Sequence, residues 1–288
     1  MIALFFYKLG ALIARICPER VSRLIALLLA DSQYIFRFGS RRNVKSNLRL
    51  ILDVRTNAKL INKCAKNVFR NFAQCVRLFL SIPYIDNAEL SSRCDYTEID
   101  NVLEHLEKGK GAVFVSAHIG PWDLGGALML ARGVRLHTVT LDHPSRRVTG
   151  YFNERRKKAN LSVYSLEDSF QKLQNALENG EHVGLLIDRE YGKIHRTYDY
   201  FGIPTALPNS HLLLAAKTGA PIVFLSILCA PGDRFKTICK GPYHIGRGKH
   251  RQKSMDEVQR CCLKDIETVI KTYPNQYFHF LPLAARSE

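Results

Sequence analysis

Up to about residue 81 the hydrophobic positions recur at helical spacing. In NAKLINKCAKNVFRNFAQCVRLFLS, Leu60, Ile61, Cys64, Ala65, Val68, Phe69, Phe72, Ala73, Val76 and Leu80 fall on one face, and Pro83 ends the run. From about residue 98 the period alternates between helical and extended. Helices are predicted over 99–107, 122–132, 145–159, 168–179, 209–218 and 255–272. Strands are predicted over 112–117, 135–141, 161–164, 182–187, 221–229 and 234–240. Strand alternating with helix implies parallel pairing through crossover connections, so the expected class is α/β: a mostly parallel sheet flanked by helices in three layers. Residues 84–97 read as a connector, which divides the chain into a helical region, 1–83, and an α/β domain, 84–288.

The strands at 112–117 and 182–187 are nearly unbroken apolar runs, as strands covered on both faces should be. Both end abruptly on chemistry. The first gives way to His118 in GAVFVSAHIGPWDLGG, with Asp123 in the helix that follows. The second gives way to Asp188, Arg189 and Glu190 in LLIDREYG. In a parallel sheet the carboxyl ends of strands line the crevice where ligands bind, so His118 and Asp188 should open onto one edge. A histidine there, with a carboxylate on its far nitrogen, has the elements of general-base activation of a hydroxyl, and Asp123 is the expected partner. A second His-x4-Asp, His137 to Asp142, falls in an alternating strand pattern. Its two residues would face opposite sides, so context rather than spacing selects His118.

Charge changes the picture of the amino-terminal region. The formal net charge is +16, and residues 1–80 carry 15 Lys/Arg against 3 Asp/Glu. A basic module of this kind suits an anionic membrane surface, nucleic acid or an acidic carrier protein. Residues 2–16, IALFFYKLGALIARI, are interrupted by Lys8 and Arg15, and Pro18 separates them from VSRLIALLLA. Neither piece reaches the roughly 20 apolar residues of a membrane span. Two readings stand for them, an amphipathic helix packed on its own domain or a helical hairpin lying in the membrane interface. Against nucleic acid, residues 2–30 are too apolar for a binding arm, and no helix-turn-helix, zinc or RNA-binding signature appears. Eight scattered cysteines without a CxxC read as reduced, mostly buried thiols, and no metal site is expected.

Two further blocks complete the candidate chemistry: the basic run Glu154-Arg155-Arg156-Lys157-Lys158, and Phe201-Gly202-Ile203-Pro204 ahead of LPNSHLLLAAKTGAP. In order and spacing the four blocks resemble the bacterial lipid A biosynthesis acyltransferases and the related phosphatidylinositol mannoside acyltransferases, within the superfamily built on an H-x4-D/E motif. The resemblance runs from RRNVKSNLRLIL, near residue 40, to YPNQYFHF at 273–280. HIGPWDLGG is close to the mannoside enzymes, which also use Asp where lipid A enzymes use Glu. DREYG resembles an Asp-x-Asp-Tyr-Gly block, and FGIPTALP a Phe-Gly-x-Pro-x-x-Pro block. Two departures are Pro121, where Asn is common, and Glu190 in place of Asp. A Pro-Glu-Gly block of glycerol-phosphate acyltransferases is not found.

The resemblance implies a glycerolipid acyltransferase-like fold, with His118 as base, Asp123 as its orienting partner and Asp188 as a later essential acid. It implies Glu190, Phe201 and Gly202 as substrate contacts and a functional arginine at Arg155, with Arg156 next in line. The implied reaction moves an acyl group from an acyl-carrier protein or coenzyme A thioester to a hydroxyl of a membrane glycolipid, without metal or cofactor. The implied place is the cytoplasmic face of the inner membrane, peripheral or anchored through the amino terminus. Two other readings use the same residues differently. One is a thioester hydrolase with water as acceptor; the other is a basic nucleic-acid-binding protein with an inert α/β domain.

Overall fold

Pro18 and Asn57 punctuate the amino-terminal region. The computed structural model, which describes residues 2–53, 57–107, 109–141, 143–167, 169–190 and 195–283, forms four helices there: α1 (Ile2–Ile16), α2 (Glu19–Phe36), α3 (Phe38–Leu52) and α4 (Ala58–Ser81). Asn57 caps α4 by accepting from the Leu60 amide at 2.9 Å. Arg70 of α4 grips Asp31 of α2 with two bonds of 2.7 and 2.6 Å, and Lys66 lies 3.2 Å from the same carboxylate. That partly exposed pair contributes about 1 kcal/mol at most, so α2 is held to α4 mainly by packing around Ala30, Ala65, Val68 and Phe69.

The chain then continues through α5 (Asn87–Ser92), β1 (Cys94–Asp95), α6 (Thr97–Glu104), β2 (Val113–Ser116), α7 (Gly125–Leu130), β3 (Leu136–Thr140) and α8 (Arg146–Lys158). Next come β4 (Leu161–Ser165), α9 (Ser169–Glu178), β5 (His182–Leu186), β6 (His195–Tyr200), β7 (Ile203–Pro208) and α10 (Ser210–Thr218). The last elements are β8 (Ile222–Ala230), β9 (Arg234–Tyr243) and α11 (Arg251–Thr272). The alternation has the consequence expected of it: a seven-stranded sheet in the order β1-β9-β8-β2-β5-β3-β4 with helices on both faces. Only the β8–β9 pair is antiparallel, because these strands are joined by a short turn at 231–233 that leaves no room for a crossover.

The alternating side chains of β2 and β5 feed two cores. Val113, Val115, Val183 and Leu185 pack against α9, α10 and α11. Phe114 faces the other way, into a core shared with Leu78, Phe79 and Leu80 of α4 and with Leu128 and Met129 of α7. The amino-terminal helices are thus built onto the sheet. Gly10 lies close under Leu80, which brings α1 down on α4. The outer side of α1 exposes Phe5, Leu9, Leu12 and Ile16, and α2 exposes Leu24, Leu28 and Leu29. Among the described residues no helix is long and apolar enough to cross a membrane.

Three elements differ from the sequence reading, the first being the connector at 84–97, which holds α5 and β1, with β1 paired in parallel to β9. The segment ahead of α10 is a two-stranded hairpin, β6 with β7, whose polar HRTYDY strand carries too little apolar alternation to be seen as a strand. Helix 122–132 is shorter than expected, a single tight turn at Trp122–Leu124 followed by α7.

Candidate active site

Strand register brings the site together. β2 and β5 are parallel neighbours with Ser116 opposite Leu186, and the Ile187 amide donates to the Ser116 carbonyl at 2.9 Å. Two residues beyond each strand stand His118 and Asp188, so equal offsets from a paired register set them face to face. Nδ1 of His118 lies 2.8 Å from one Asp188 oxygen, and the His118 backbone N–H donates to the other at 3.1 Å. Asp188 is only 1 % exposed. Burial disfavours its charge, but the facing imidazole, these two hydrogen bonds and the Arg189 guanidinium hold the carboxyl below the usual carboxylate range. With Nδ1 engaged, Nε2 is the ring nitrogen left for a substrate. The Trp122 ring meets the imidazole edge-on, 5.2 Å between centroids.

Asp123 does not take the place the sequence reading gave it. Its carboxylate accepts from Nε of Arg156 at 2.9 Å, and the imidazole's orienting partner is Asp188. Gly120 explains how the chain turns between the two: at φ +58°, a Cβ there would fall 2.0 Å from the Ile227 carbonyl oxygen of β8. The structure also separates the two arginines. Arg156 reaches the site, whereas its neighbour Arg155, about 100° further around α8, is buried against Tyr151 on the other side.

A cavity of about 820 Å³ opens at these residues. Its apolar walls include Phe114, Leu136, Leu161, Leu186, Leu225 and Ile227 along one face of the sheet, and Gly125, Gly126 and Gly184 leave the room. A second, largely apolar cavity of about 1000 Å³ lies between α1, α2 and α4. The two share Trp122, Asp123 and Arg156, and His118, which lines the first, stands beside that junction with its ring 5.2 Å from the Trp122 ring.

The remaining expected contacts divide. Glu190 lines the first cavity, with its carboxylate 3.3 Å from His195. Phe201 and Gly202 do not line it. Both have positive φ (+55° and +75°) and make the two-residue turn of the β6–β7 hairpin, with Phe201 buried and its amide bonded to Glu267 at 2.7 Å. The hairpin reaches the cavity through Pro204, Thr205 and Ala206 instead. His137 of the second His-x4-Asp is bonded to Tyr164 at 2.9 Å and to Glu181 at 2.9 Å, while Asp142 lies outside the described residues, as do Tyr191 and Gly192 of the DREYG block.

Against known families, the model described as bacterial lipid A biosynthesis acyltransferase matches residues 1–284. The chain belongs to this acyltransferase family. It is also similar to the phosphatidylinositol mannoside acyltransferase of Mycolicibacterium smegmatis, 24% identical over 220 residues that cover 75% of this chain and 71% of the relative. With the enzyme of that name from Mycobacterium tuberculosis H37Rv it is 25% identical over 225 residues, 75% of this chain and 70% of the relative.

In this acyltransferase one part of the site escaped the sequence reading. Residues 277–283 cross the His118 loop as a strap. The Phe278 amide donates to the His118 carbonyl at 2.8 Å, Arg189 bonds the Phe278 carbonyl, and His279, Leu281 and Leu283 line the cavity. Asn47 of α3 clamps the strap: its amide nitrogen donates to the carbonyls of His279 (2.9 Å) and Leu281 (2.8 Å), and its oxygen accepts from Leu283 N–H at 3.0 Å. Asn47 and His279 lay in segments already singled out, RRNVKSNLRLIL and YPNQYFHF, whereas Leu281 and Leu283 fall just beyond the second. A polar residue among the apolar positions of a helix was the available signal.

Proposed function

We propose that this acyltransferase moves a fatty acyl group from an acyl thioester to a hydroxyl of a membrane glycolipid, with His118 as general base. The observation that carries the reading is the 2.8 Å pair of His118 and buried Asp188 in the wall of one large, mainly apolar cavity, next to the residues it shares with a second. Asp188 accepts from Nδ1–H and so leaves the lone pair on Nε2, which takes the proton of the acceptor hydroxyl. The acceptor oxygen attacks the thioester carbonyl carbon. The tetrahedral adduct then expels the thiolate, which recovers the proton from the imidazolium that Asp188 stabilised. Ser116, the nearest hydroxyl on the strand, pairs with Ser226 at 3.5 Å, and the route needs no acyl-enzyme. Arg156, fixed by Asp123, supplies positive charge beside the reacting carbonyl.

The apolar cavity along the sheet suits an acyl chain, and the one between the amino-terminal helices opens beside the exposed apolar face of α1 and α2, where a lipid acceptor would enter. The family and the relatives' names support a sugar-bearing lipid as that acceptor. Coenzyme A and an acyl-carrier protein both fit the donor role, and either would be met at the cytoplasmic face of the membrane, on which the protein docks peripherally.

The test incubates purified protein and His118→Ala with a labelled acyl thioester and a membrane-lipid extract, and follows the label by lipid mass spectrometry. Label in a glycolipid with the wild type only is the expected result. Equal transfer by both proteins would remove His118 from catalysis, and thioester cleavage with no labelled lipid would make the protein a hydrolase.

A further inference from the structure

On the far side of α8 from the reacting groups lies a separate pocket of about 490 Å³ between α1, Pro83–Tyr84 and α8. Five cations line it, Lys8 and Arg15 from α1 and Arg147, Arg155 and Lys158 from α8, against one carboxylate, Glu154. Among the described residues none of the five has a carboxylate within ion-pair distance, although most other clusters of opposite charge here are paired. Arg155 is the telling member. It is 6 % exposed, and its Nε has no hydrogen-bond partner. Its guanidinium lies 4.0 Å from the Tyr151 ring centroid, and that of Arg15 lies 5.5 Å from the Tyr84 ring. Tyrosine on the guanidinium face leaves the in-plane N–H groups for an oxyanion. The Tyr151 hydroxyl in turn donates to the Tyr7 carbonyl at 3.4 Å, which ties α8 to α1 across the pocket.

A buried, unpaired arginine amid four more unpaired cations is the arrangement that a phosphate group would complete. Its position says which phosphate. Leu4, Lys8, Ala11 and Arg15 form one stripe of α1, and Phe5, Leu9, Leu12 and Ile16 form the adjacent stripe, exposed and apolar. A lipid whose chains lie along the second stripe would set its headgroup at the first. We propose that this pocket binds the phosphate of an anionic phospholipid headgroup, a site distinct from the one that holds the reacting lipid. It would fix α1, and through α8 the neighbouring Arg156, in one orientation at the membrane surface. The inference stands independently of the acyl-transfer chemistry.

The test titrates full-length protein with dihexanoyl phosphatidylglycerol below its micelle concentration, and separately with dihexanoyl phosphatidylcholine, inorganic phosphate and coenzyme A, by calorimetry. The expected result is saturable one-to-one binding of phosphatidylglycerol, weakened about tenfold or more in Arg147→Gln/Lys158→Gln and in Arg155→Gln. The double variant changes only exposed side chains and keeps the measurement meaningful should Arg155→Gln fail to fold. A control that removes equal charge elsewhere, Lys249→Gln/Arg251→Gln, should keep its affinity within about twofold. Equal weakening in the control would reduce the effect to bulk charge and overturn the proposal. Absence of saturable binding would overturn it, as would phosphatidylcholine or inorganic phosphate binding as tightly as phosphatidylglycerol. Tighter binding of coenzyme A, lost in the same variants, would reassign the pocket to the donor.

Discussion

Asp188→Asn is the substitution that most sharply separates the two carboxylates near His118. The wild-type carboxylate serves two donors at once, Nδ1–H at 2.8 Å and the His118 backbone N–H at 3.1 Å. An asparagine of the same shape has only one acceptor oxygen. If that oxygen stays with the backbone N–H, which cannot turn away, the amide NH2 faces Nδ1 and forces it to accept. The ring proton then moves to Nε2, where a lone pair is needed. The variant also loses a charge facing the imidazolium. Unit charges about 4 Å apart attract by about 4 kcal/mol at an effective dielectric of 20. With the wrong tautomer added, the barrier should rise by about 4–5.5 kcal/mol, or about 10³–10⁴-fold in kcat, with little change in KM.

The assay is initial-rate transfer of a labelled acyl chain from thioester to lipid in mixed micelles, with thermal unfolding as a check that the variant is folded. Asp123→Asn provides the comparison. It breaks only the partly exposed pair with Arg156 and should lose about 10–100-fold. Adding Asp188→Asn to His118→Ala should cost little more than His118→Ala alone, since the two act as a unit. A larger kcat loss in Asp123→Asn than in Asp188→Asn would refute the assignment, as would Asp188→Asn activity within about tenfold of wild type.

Three further outcomes follow from the same geometry. Gly184 lines the sheet-side cavity, and a Cβ there would sit at ordinary contact, 3.6 Å from Leu136, so Gly184→Val should fold and fill the floor. Excluding two methylenes removes about 1.6 kcal/mol, so acyl-donor competition should shift roughly 15-fold toward the shorter chain. Asn47→Ala strands three partners of the buried strap and should lower stability by about 2–4 kcal/mol in urea titration, with no loss if the clamp is dispensable. His211 is fully buried, and burial pushes its pKa down to about 4 despite the bond to Gln259. It is therefore neutral in the fold, and its contribution is present above about pH 6.5 and lost as pH falls toward 4. His211→Gln should remove about 2 kcal/mol from the stability difference between pH 7 and pH 5, and an unchanged difference would contradict the shift.

What was legible in the sequence was whatever is local. An apolar run that stops on His118, and another that stops on Asp188, already fix two strand ends on one edge of a parallel sheet. That β2 and β5 are neighbours was not legible, because their pairing joins segments 70 residues apart and depends on where β3 and β4 insert. Asp123 was therefore matched to the histidine nearest in sequence, although the next turn of chain carries it toward α8. The choice between Arg155 and Arg156 was closer to being readable. Arg156 follows Val148 and Phe152 at four-residue steps, and with Phe152 it lines the second cavity, where its guanidinium meets Asp123. Phe201 and Gly202 were expected as substrate contacts, but they form the tip of a hairpin whose far strand reaches the cavity instead.

The same argument accounts for why this site is built from so many distant segments. The His118 imidazole at the end of β2 is oriented from β5, its loop is pinned from β8 by Gly120 and from the carboxyl-terminal strap, and the strap is held by α3. These contacts hold the His118 ring and its backbone from several directions, and the strap also lines both cavities, through His279, Leu281 and Leu283 in the first and Phe280 in the second. The amino-terminal helices therefore do two things at once. Through Asn47 they hold the strap that crosses the His118 loop, and through α1 and α2 they present an apolar face with the second cavity beneath it. If membrane contact shifts α1 against α4, the change is carried to Arg156 by α8, because Tyr7 and Phe152, 4.8 Å apart between ring centroids, couple those two helices directly. Turnover on vesicles should accordingly exceed turnover on dispersed short-chain lipid by more than binding alone explains, and Phe152→Ala should abolish that excess while leaving the His118–Asp188 pair intact.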